Sequence, residues 1–511
     1  MASTKFVREP IDQICLFLIF IFTIIIVILI GSNKICYQQK CLFNNQPQVK
    51  EFSWANQKIG ATDRAFYLVF DRPMSKESVE ENLKIEPPIN GRISWSGKRL
   101  VYSLDGVVPY GKDFRISLSN AQEKFRGQEK LGAEIEPFVA EFKSRDRAFA
   151  YIGSQGEESG RIILNNSTKQ NKDILTPDNL TVLDFKFTPN SEKIVFSATD
   201  NKDENEEFKQ INIYEVTTGL SNDFTTKIPG ELTVILNGSK FQNNKFDLAG
   251  DNGERIVVQR INQEDPQDFD LWKLEQGKIP QRLNTKGGDF IVTPDGDAVA
   301  IAKGEGIAIL SLQEQQDKSL VNFLPKYGQV LTFSKDGSSA AMVNFNKDDS
   351  QKQFTKSLFY VNNQGLEKEL VTVEGTIVDC EFNHTGTQLF CLLTERTQTS
   401  DEELEETPYF VGIDIKSGQI IPLLALPKYQ DIEISMAPDG LGLLFDQLVT
   451  ENDVTPKQLA QISPDEELLT DSAELILTSR LWLLTLPNPE SPQAQLQEFP
   501  QVSGFKPQWS P

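Results

Sequence analysis

The sequence predicts an all-β chain, a β-sandwich followed by a seven-bladed β-propeller, with one N-terminal transmembrane helix. Three observations carry that reading. A run of seventeen almost wholly apolar residues occupies positions 14–30. Short alternating runs split by turn residues fill 52–146, and one hairpin pattern returns again and again along 147–511. Side-chain alternation with a period of two is the signature of half-buried strands, and self-similarity at a fixed spacing is the signature of a repeat architecture.

The apolar run reads "ICLFLIFIFTIIIVILI", with Thr23 its only polar residue. As a helix it covers about 26 Å, enough for a bilayer core once Gly31 and the ends are added. A cleaved signal peptide would have a shorter apolar core and a small-residue cleavage site, and "LIGSNKICYQQ" offers none. The expectation is a retained anchor. Lys5 and Arg8 before the run are matched by Lys34 and Lys40 after it, so flanking charge gives no orientation. Nearly all of the chain follows the run, and its domain types place it outside the cytoplasm.

The region 52–146 contains "RAFYLVFDRPM", "LKIEPPINGRISWSG", "KRLVYSL", "DFRISLS" and "FVAEFKS". Alternation with a turn every ten or so residues argues for a β-sandwich. The run "FDRPMS" at a strand end, the hairpin "ISWSGKRLVYSL" and the entry "VPYGKDFRISLS" resemble the bacterial Ig-like modules of the SbsA or Big5 type over about ninety residues. That resemblance implies a spacer or adhesive unit of a cell envelope and carries no catalytic residues.

Beyond residue 147 the repeating unit begins with strand, tight turn, strand: "FTPNSEKIVFSA", "VTPDGDAVAIA", "FSKDGSSAAMV", "FNHTGTQLFCL" and "MAPDGLGLLFD". Turns at Ser191, Gly253, Gly296, Gly337, Gly386 and Gly440 recur every 40 to 60 residues or so, the spacing of propeller blades. Within the turn Pro fixes φ, Asp bonds the following backbone and Gly accepts positive φ. A second hairpin follows in each unit, through "INIYEVTTG", "FDLWKLEQGK", "GIAILSLQ", "SLFYVNNQG" and "YFVGIDIKSGQIIPLL", giving four strands per unit. The pattern resembles the WD40-like repeats of the TolB and PD40 type, whose core reads F-S-P-D-G-x-x-I-A-F. It departs from that core at "FDLAGDNGERIVV", leaving blade boundaries open around residues 230–285. This second resemblance covers about 360 residues and implies a fold, not a function.

The ends supply a count. "GFKPQWSP" (504–511) reads as a first strand with its turn cut short, and "AFAYIG" (148–153) reads as a unit lacking that strand. Joining them closes a ring of seven blades and removes exposed sheet edges. The expected organisation is therefore a short cytoplasmic tail (1–13), a membrane helix (14–31), a linker (32–51), the Ig-like sandwich (52–146) and the propeller (147–511).

The chemistry is sparse. A formal charge of −22 repels phosphate backbones, and no basic stripe offsets it, which excludes nucleic acid as a partner. The single histidine, His384, removes the commonest general base and metal ligand from all but one position, and its place in "FNHTGT" predicts a solvated or turn-capping role. No GxSxG, Walker A, HExxH, CxxC or dinucleotide-type glycine motif occurs. Carboxylate-pair hydrolysis needs no fixed spacing and stays open. Cys15 lies in the apolar run, Cys36 and Cys41 follow it as either free thiols or a small disulfide, and Cys380 and Cys391 read as diagonal, buried thiols. The acidic loops 200–207 ("DNKDENEE") and 400–407 ("SDEELEET") lack the spacing of a calcium loop and read as solvated. The insertion 450–480, with helix-like portions after Thr455-Pro456 and Ser463-Pro464, is a candidate partner surface.

No catalytic, cofactor-binding or metal-binding residue is assigned, and no cofactor is expected. The function expected is that of a non-enzymatic bacterial protein, anchored in the inner or a thylakoid-type membrane through residues 14–31, whose propeller binds a protein or glycan outside the cytoplasm. The alternative is a carboxylate-dependent hydrolase or lyase acting in the propeller channel, which requires convergent Asp and Glu side chains in one pocket.

Overall fold

The computed structural model describes residues 10–32, 36–37, 40–41, 46–124, 132–200, 210–250, 253–275, 277–286, 288–304, 306–313, 320–398, 404–426, 432–455, 475–487 and 493–511. The chain is all-β apart from two helices and short 3-10 turns. Helix α1, Pro10–Ser32, takes the whole apolar run. Its described side chains, at 14, 15 and 17–26, are almost all exposed, among them Phe17, Phe20 and Phe22. Among the described residues no helix is long and apolar enough to cross a membrane. Just beyond, a two-residue pairing sets Cys36 opposite Cys41, whose side chains lie outside the described residues.

The chain clusters into two compact units. The first comprises Met1–Ala55, Ala65–Asp105 and Phe114–Glu141. The second comprises Asn56–Arg64, Gly106–Asp113 and Phe142–Pro511. Two four-stranded sheets account for the sandwich-like pattern. One orders Val49–Phe52, Ala65–Phe70, Arg99–Leu104 and Gly91–Ser96; the other orders Lys58–Ile59, Phe138–Ser144, Asp113–Leu118 and Leu83–Glu86. Alternate residues Phe66, Leu68 and Phe70 are buried, as a period-two strand with one solvated face requires. Helix α2, Lys76–Asn82, is absent from the sequence-based expectation; Ser75 caps it by accepting the Ser78 N–H.

In the second unit, four-stranded antiparallel meanders follow one another, which is the blade pattern of a β-propeller. The leading strand of each unit, the one before the recurrent turn, is β1 (Leu180–Phe187), β2 (Phe241–Ala249), β3 (Phe290–Val292), β4 (Gln329–Phe333), β5 (Ile377–Phe382), β6 (Ile434–Met436) and β7 (Gln495–Trp509). Each turn joins a leading strand to the next strand of its own sheet. The stretch the sequence left open resolves into Leu232–Leu236 ending one sheet and β2, Arg255–Asn262, Phe269–Glu275 and Gln281–Arg282 forming the next.

Strand β7 belongs to two meanders at once. Its first half pairs with Ile476–Thr485, and its second half pairs with Ala148–Gly153 through Phe149↔Trp509 and Ile152↔Phe505, so one seven-stranded sheet results. Phe149, Tyr151, Leu481, Val502 and Trp509 form the buried cluster at that junction. Leading strands β2 to β7 pack one against the next, β7 packs against β1, and a Lys186–Asp247 ion pair joins β1 to β2. The series thereby returns to its start.

One expectation about the cysteines is wrong. Cys380 and Cys391 are directly opposed, with Cα atoms 4.1 Å apart, and form a disulfide. The turn after β5 is closed by the Asn383 N–H donating to Gln388 O, and this loop of four residues shifts the register from diagonal to opposite.

Candidate functional site

Alternation along the leading strands sends every second side chain toward the following strand in the series. The position just before the last residue of the strand holds Lys186 in β1, Ile291 in β3, Thr332 in β4, Glu381 in β5, Ser435 in β6 and Gln508 in β7. Asp247 in β2 takes the same role one residue earlier. Apart from Thr332, whose Oγ1 donates to Phe333 O in its own strand, the polar members of this row reach across to the next leading strand. Gln508 Nε2 donates to Phe185 O at 2.7 Å, and Lys186 Nζ to Asp247 Oδ1 at 2.6 Å. Asp247 Oδ2 accepts the Val292 N–H at 2.7 Å, Glu381 Oε2 the Met436 N–H at 2.8 Å, and Ser435 Oγ the Trp509 N–H at 3.0 Å. A buried backbone N–H left without an acceptor costs free energy, so Asp247, Glu381 and Ser435 each satisfy a donor that the sheet ladders do not reach.

A second row lies two residues further from the turn: Asp184, Lys245, Asp289, Asp379, Glu433 and Lys506. Lys506 stands 3.7 Å from both Asp184 and Glu433, bridging β7 to its neighbours on either side. Lys245 pairs with Asp289. Asp379 makes no ion pair among the described residues; its Oδ1 accepts the Cys380 N–H. Ile291, Val330 and Thr332 leave Asp289, paired with Lys245, as the one charged position of these two rows at β3 and β4, while β5 and β6 carry Asp379, Glu381 and Glu433.

Electrostatics follow from that asymmetry. Burial pushes the Asp379 carboxyl well above the usual carboxylate range, and Glu381 and Glu433 push it further. Burial raises Glu381 to about 7 against the opposing pull of the Met436 N–H and Lys186. Asp446, one strand behind, is raised by burial to about 7 although its oxygens accept the Glu433 and Lys506 N–H groups. Burial works against charge on Lys186, yet Asp247 beside it holds the ammonium above its ordinary value. Asp379 and Glu381 keep some accessible surface despite these shifts. Such a cluster can hold protons near neutrality or oppose a cationic group; among the described residues no set of side chains is arranged to hold a metal ion.

The sequence named none of these residues, because each stitch joins positions dozens to hundreds of residues apart. The one available signal was a charged residue before the turn hydrophobe, as in "DFKFTPN" and "DCEFNHT". His384 departs from its solvated or capping role: its Nε2 faces the Arg64 guanidinium and its Nδ1 is buried without a partner. Most of the acidic loop 200–207, the first half of 400–407 and residues 456–474 of the insertion lie outside the described residues.

No protein-family model and no curated protein matches the chain. Among solved structures it is similar to TolB from Acinetobacter baumannii, at 12% identity and a TM-score of 0.38, over 84% of this chain and 83% of that one. It is similar to an oligogalacturonate lyase from Vibrio parahaemolyticus, at 13% identity and a TM-score of 0.40, over 59% of this chain and 87% of that one. It is also similar to a putative 6-phosphogluconolactonase from Bacteroides fragilis, at 12% identity and a TM-score of 0.40, over 71% of this chain and 97% of that one. The functional reading rests on the chain's own residues.

Proposed function

We propose that the chain is a membrane-tethered, non-enzymatic binding protein: residues 14–31 anchor it, an Ig-like sandwich acts as spacer, and a closed seven-bladed propeller offers a protein- or glycan-binding surface outside the cytoplasm. The seven-stranded sheet serves as two of the blades, sharing β7. The observation that carries the reading is the use made of the inner carboxylates. Asp446 spends both oxygens on backbone N–H groups, Asp247 spends one on the Val292 N–H and the other on Lys186, and Glu381 spends Oε2 on the Met436 N–H. A catalytic carboxylate needs an oxygen free to meet substrate.

Two further features support the location. A helix apolar on every side has no soluble face to bury, and α1 exposes Phe17, Ile19, Phe20 and Phe22. A disulfide such as Cys380–Cys391 persists in oxidising compartments. An exposed apolar pair of the propeller unit, Ile228 at 66% and Val234 at 57%, suits a partner surface.

Affinity capture with the full chain from solubilised membranes, alongside a glycan array, tests the binding role. Absence of any saturable partner from both would count decisively against it. Asp379 favours one second reading, the carboxylate-dependent hydrolase or lyase, since it makes no ion pair among the described residues and lies within electrostatic reach of Glu381 and Glu433. Turnover of a polysaccharide or ester that disappears in Asp379→Asn would establish that reading in place of the first.

A further inference from the structure

The sheet led by β1 ends on the strand Leu232–Leu236, which pairs with Asn212–Thr217 on one side and, among the described residues, with no strand on the other. The ladder fixes which backbone groups are left over. The Thr217 N–H donates to Glu231 O at 3.1 Å, so the alternation of an antiparallel pair lets Glu215 and Thr233 exchange hydrogen bonds and turns the N–H and C=O of Leu232 and Val234 outward. The side chains are as bare as the backbone: Leu232 is 39% and Val234 57% exposed.

Other outer strands carry a guard against further pairing. Asn171–Ile174 and Glu367–Val373 hold charges of both signs, Gln281–Arg282 ends on Arg282, and Ile420–Ala425 contains Pro422. Charge and proline both blunt a sheet edge, the first because it resists desolvation and the second because it lacks a donor. The run "LTVIL" has neither. In Leu320–Leu324, which is also uncharged, Asn322 interrupts the apolar run.

The occupant follows from the pattern of the strand itself. A twofold axis through Val234 lays the strand antiparallel on a second copy, with Val234 opposite Val234, Leu232 opposite Leu236 and Thr233 opposite Ile235. The outward N–H and C=O of each Val234 then meet as a hydrogen-bonded pair. Just beyond the run Glu231 falls opposite Asn237, so no like charges oppose each other between residues 231 and 237, although each chain carries a formal charge of −22.

We propose that Leu232–Leu236 is a homodimer edge: two copies of the chain pair through it about a twofold axis at Val234, joining two four-stranded sheets into one of eight strands. A five-residue edge buries less than the roughly 1,200 Å² of a stable free-standing interface. Tethering through residues 14–31 compensates by raising the effective concentration of copies in one membrane plane. The inference therefore rests on the proposed anchor, and it names a partner for the surface around Val234.

The test uses the full chain with Cys15, Cys36 and Cys41 replaced by Ser, reconstituted in phosphatidylcholine vesicles and oxidised mildly with copper phenanthroline. Val234→Cys is expected to give a disulfide-linked dimer about tenfold faster or more than Thr233→Cys, because the twofold brings only position 234 within the Cα separation that a disulfide spans. Adding Leu232→Lys to the Val234→Cys chain should slow linkage about tenfold. Rising sodium chloride should speed it, since screening relieves the repulsion between two acidic chains. Equal rates for Val234→Cys and Thr233→Cys, no response to Leu232→Lys, or a rate that falls with salt overturns the proposal. So does linkage of Val234→Cys, in native membranes, to a polypeptide other than this chain. Flotation of the same vesicles reports the anchor separately: protein that fails to float refutes the tether and this inference with it, whereas floating protein without linkage refutes the pairing alone.

Discussion

The Lys186 ammonium donates to Asp247 Oδ1 at 2.6 Å and so fastens the leading strand of one sheet to that of the next. Asp247 is 8% exposed and its second oxygen accepts the Val292 N–H, so this one carboxylate holds three consecutive leading strands together. Removing it leaves a buried ammonium and a buried N–H without acceptors. Asp247→Ala is expected to cost about 3 kcal/mol in chemical denaturation, and Lys186→Met about 1 kcal/mol, because the methionine keeps the apolar stem while Asp247 retains its backbone donors. Equal costs for the two variants would contradict the hub role of Asp247.

Stability should fall as pH rises. Glu381 and Asp446 hold their protons in the folded state up to about 7, whereas the same groups in the unfolded chain ionise near their ordinary values. Between those limits the folded state binds more protons, so unfolding free energy declines with pH and levels off above about 7. Urea midpoints are expected to be higher at pH 5 than at pH 8. In Glu381→Gln and Asp446→Asn that difference should shrink; a difference of the same size in both variants would mean these two carboxyls are not its source.

Truncation before Phe505 removes the partner of Ala148–Gly153 and strips Trp509 from its buried cluster. The expected outcome is loss of a single cooperative unfolding transition by calorimetry. Trp509→Ala, which keeps the strand, should cost about 3–5 kcal/mol. A truncated protein that melts as sharply and as high as the full chain would rule out the pairing as a closure.

The Cys380–Cys391 disulfide joins residues 11 positions apart. Loop-closure entropy for so short a loop predicts a stabilisation of about 2–3 kcal/mol. The paired replacement of both cysteines by Ser, or reduction with dithiothreitol, should lower the denaturation midpoint accordingly, and dithiothreitol should then have no effect on the double variant.

Much of the architecture was legible because it is local. The turn residues of "TPDG" and "APDG" act within five positions, and alternation marks a strand wherever one face is buried. Even the pairing of the C-terminal segment with residues 148–153 could be read, since each half carried an incomplete copy of one pattern. The cysteine pair was misjudged by a difference in loop length, where a shift of one residue changes what lies opposite what. Helix α2 went unseen because its "SKESVEEN" is too short to display a period of 3.6. The stitches among leading strands were beyond reach for a different reason. Glu381 meets the Met436 N–H only because two whole sheets stand side by side, and nothing near Glu381 in the chain records that neighbour.

Strand β7 also sets the order of assembly. Phe149 waits for Trp509, about 360 residues later in the chain, before its sheet is complete. A chain emerging from synthesis N-terminus first would therefore stay pliant until almost all of it is made, its early hairpins formed but unlatched. Rigidity arrives only with the last strand, so the clasp that seals the domain also sets the moment at which its first hairpins become fixed.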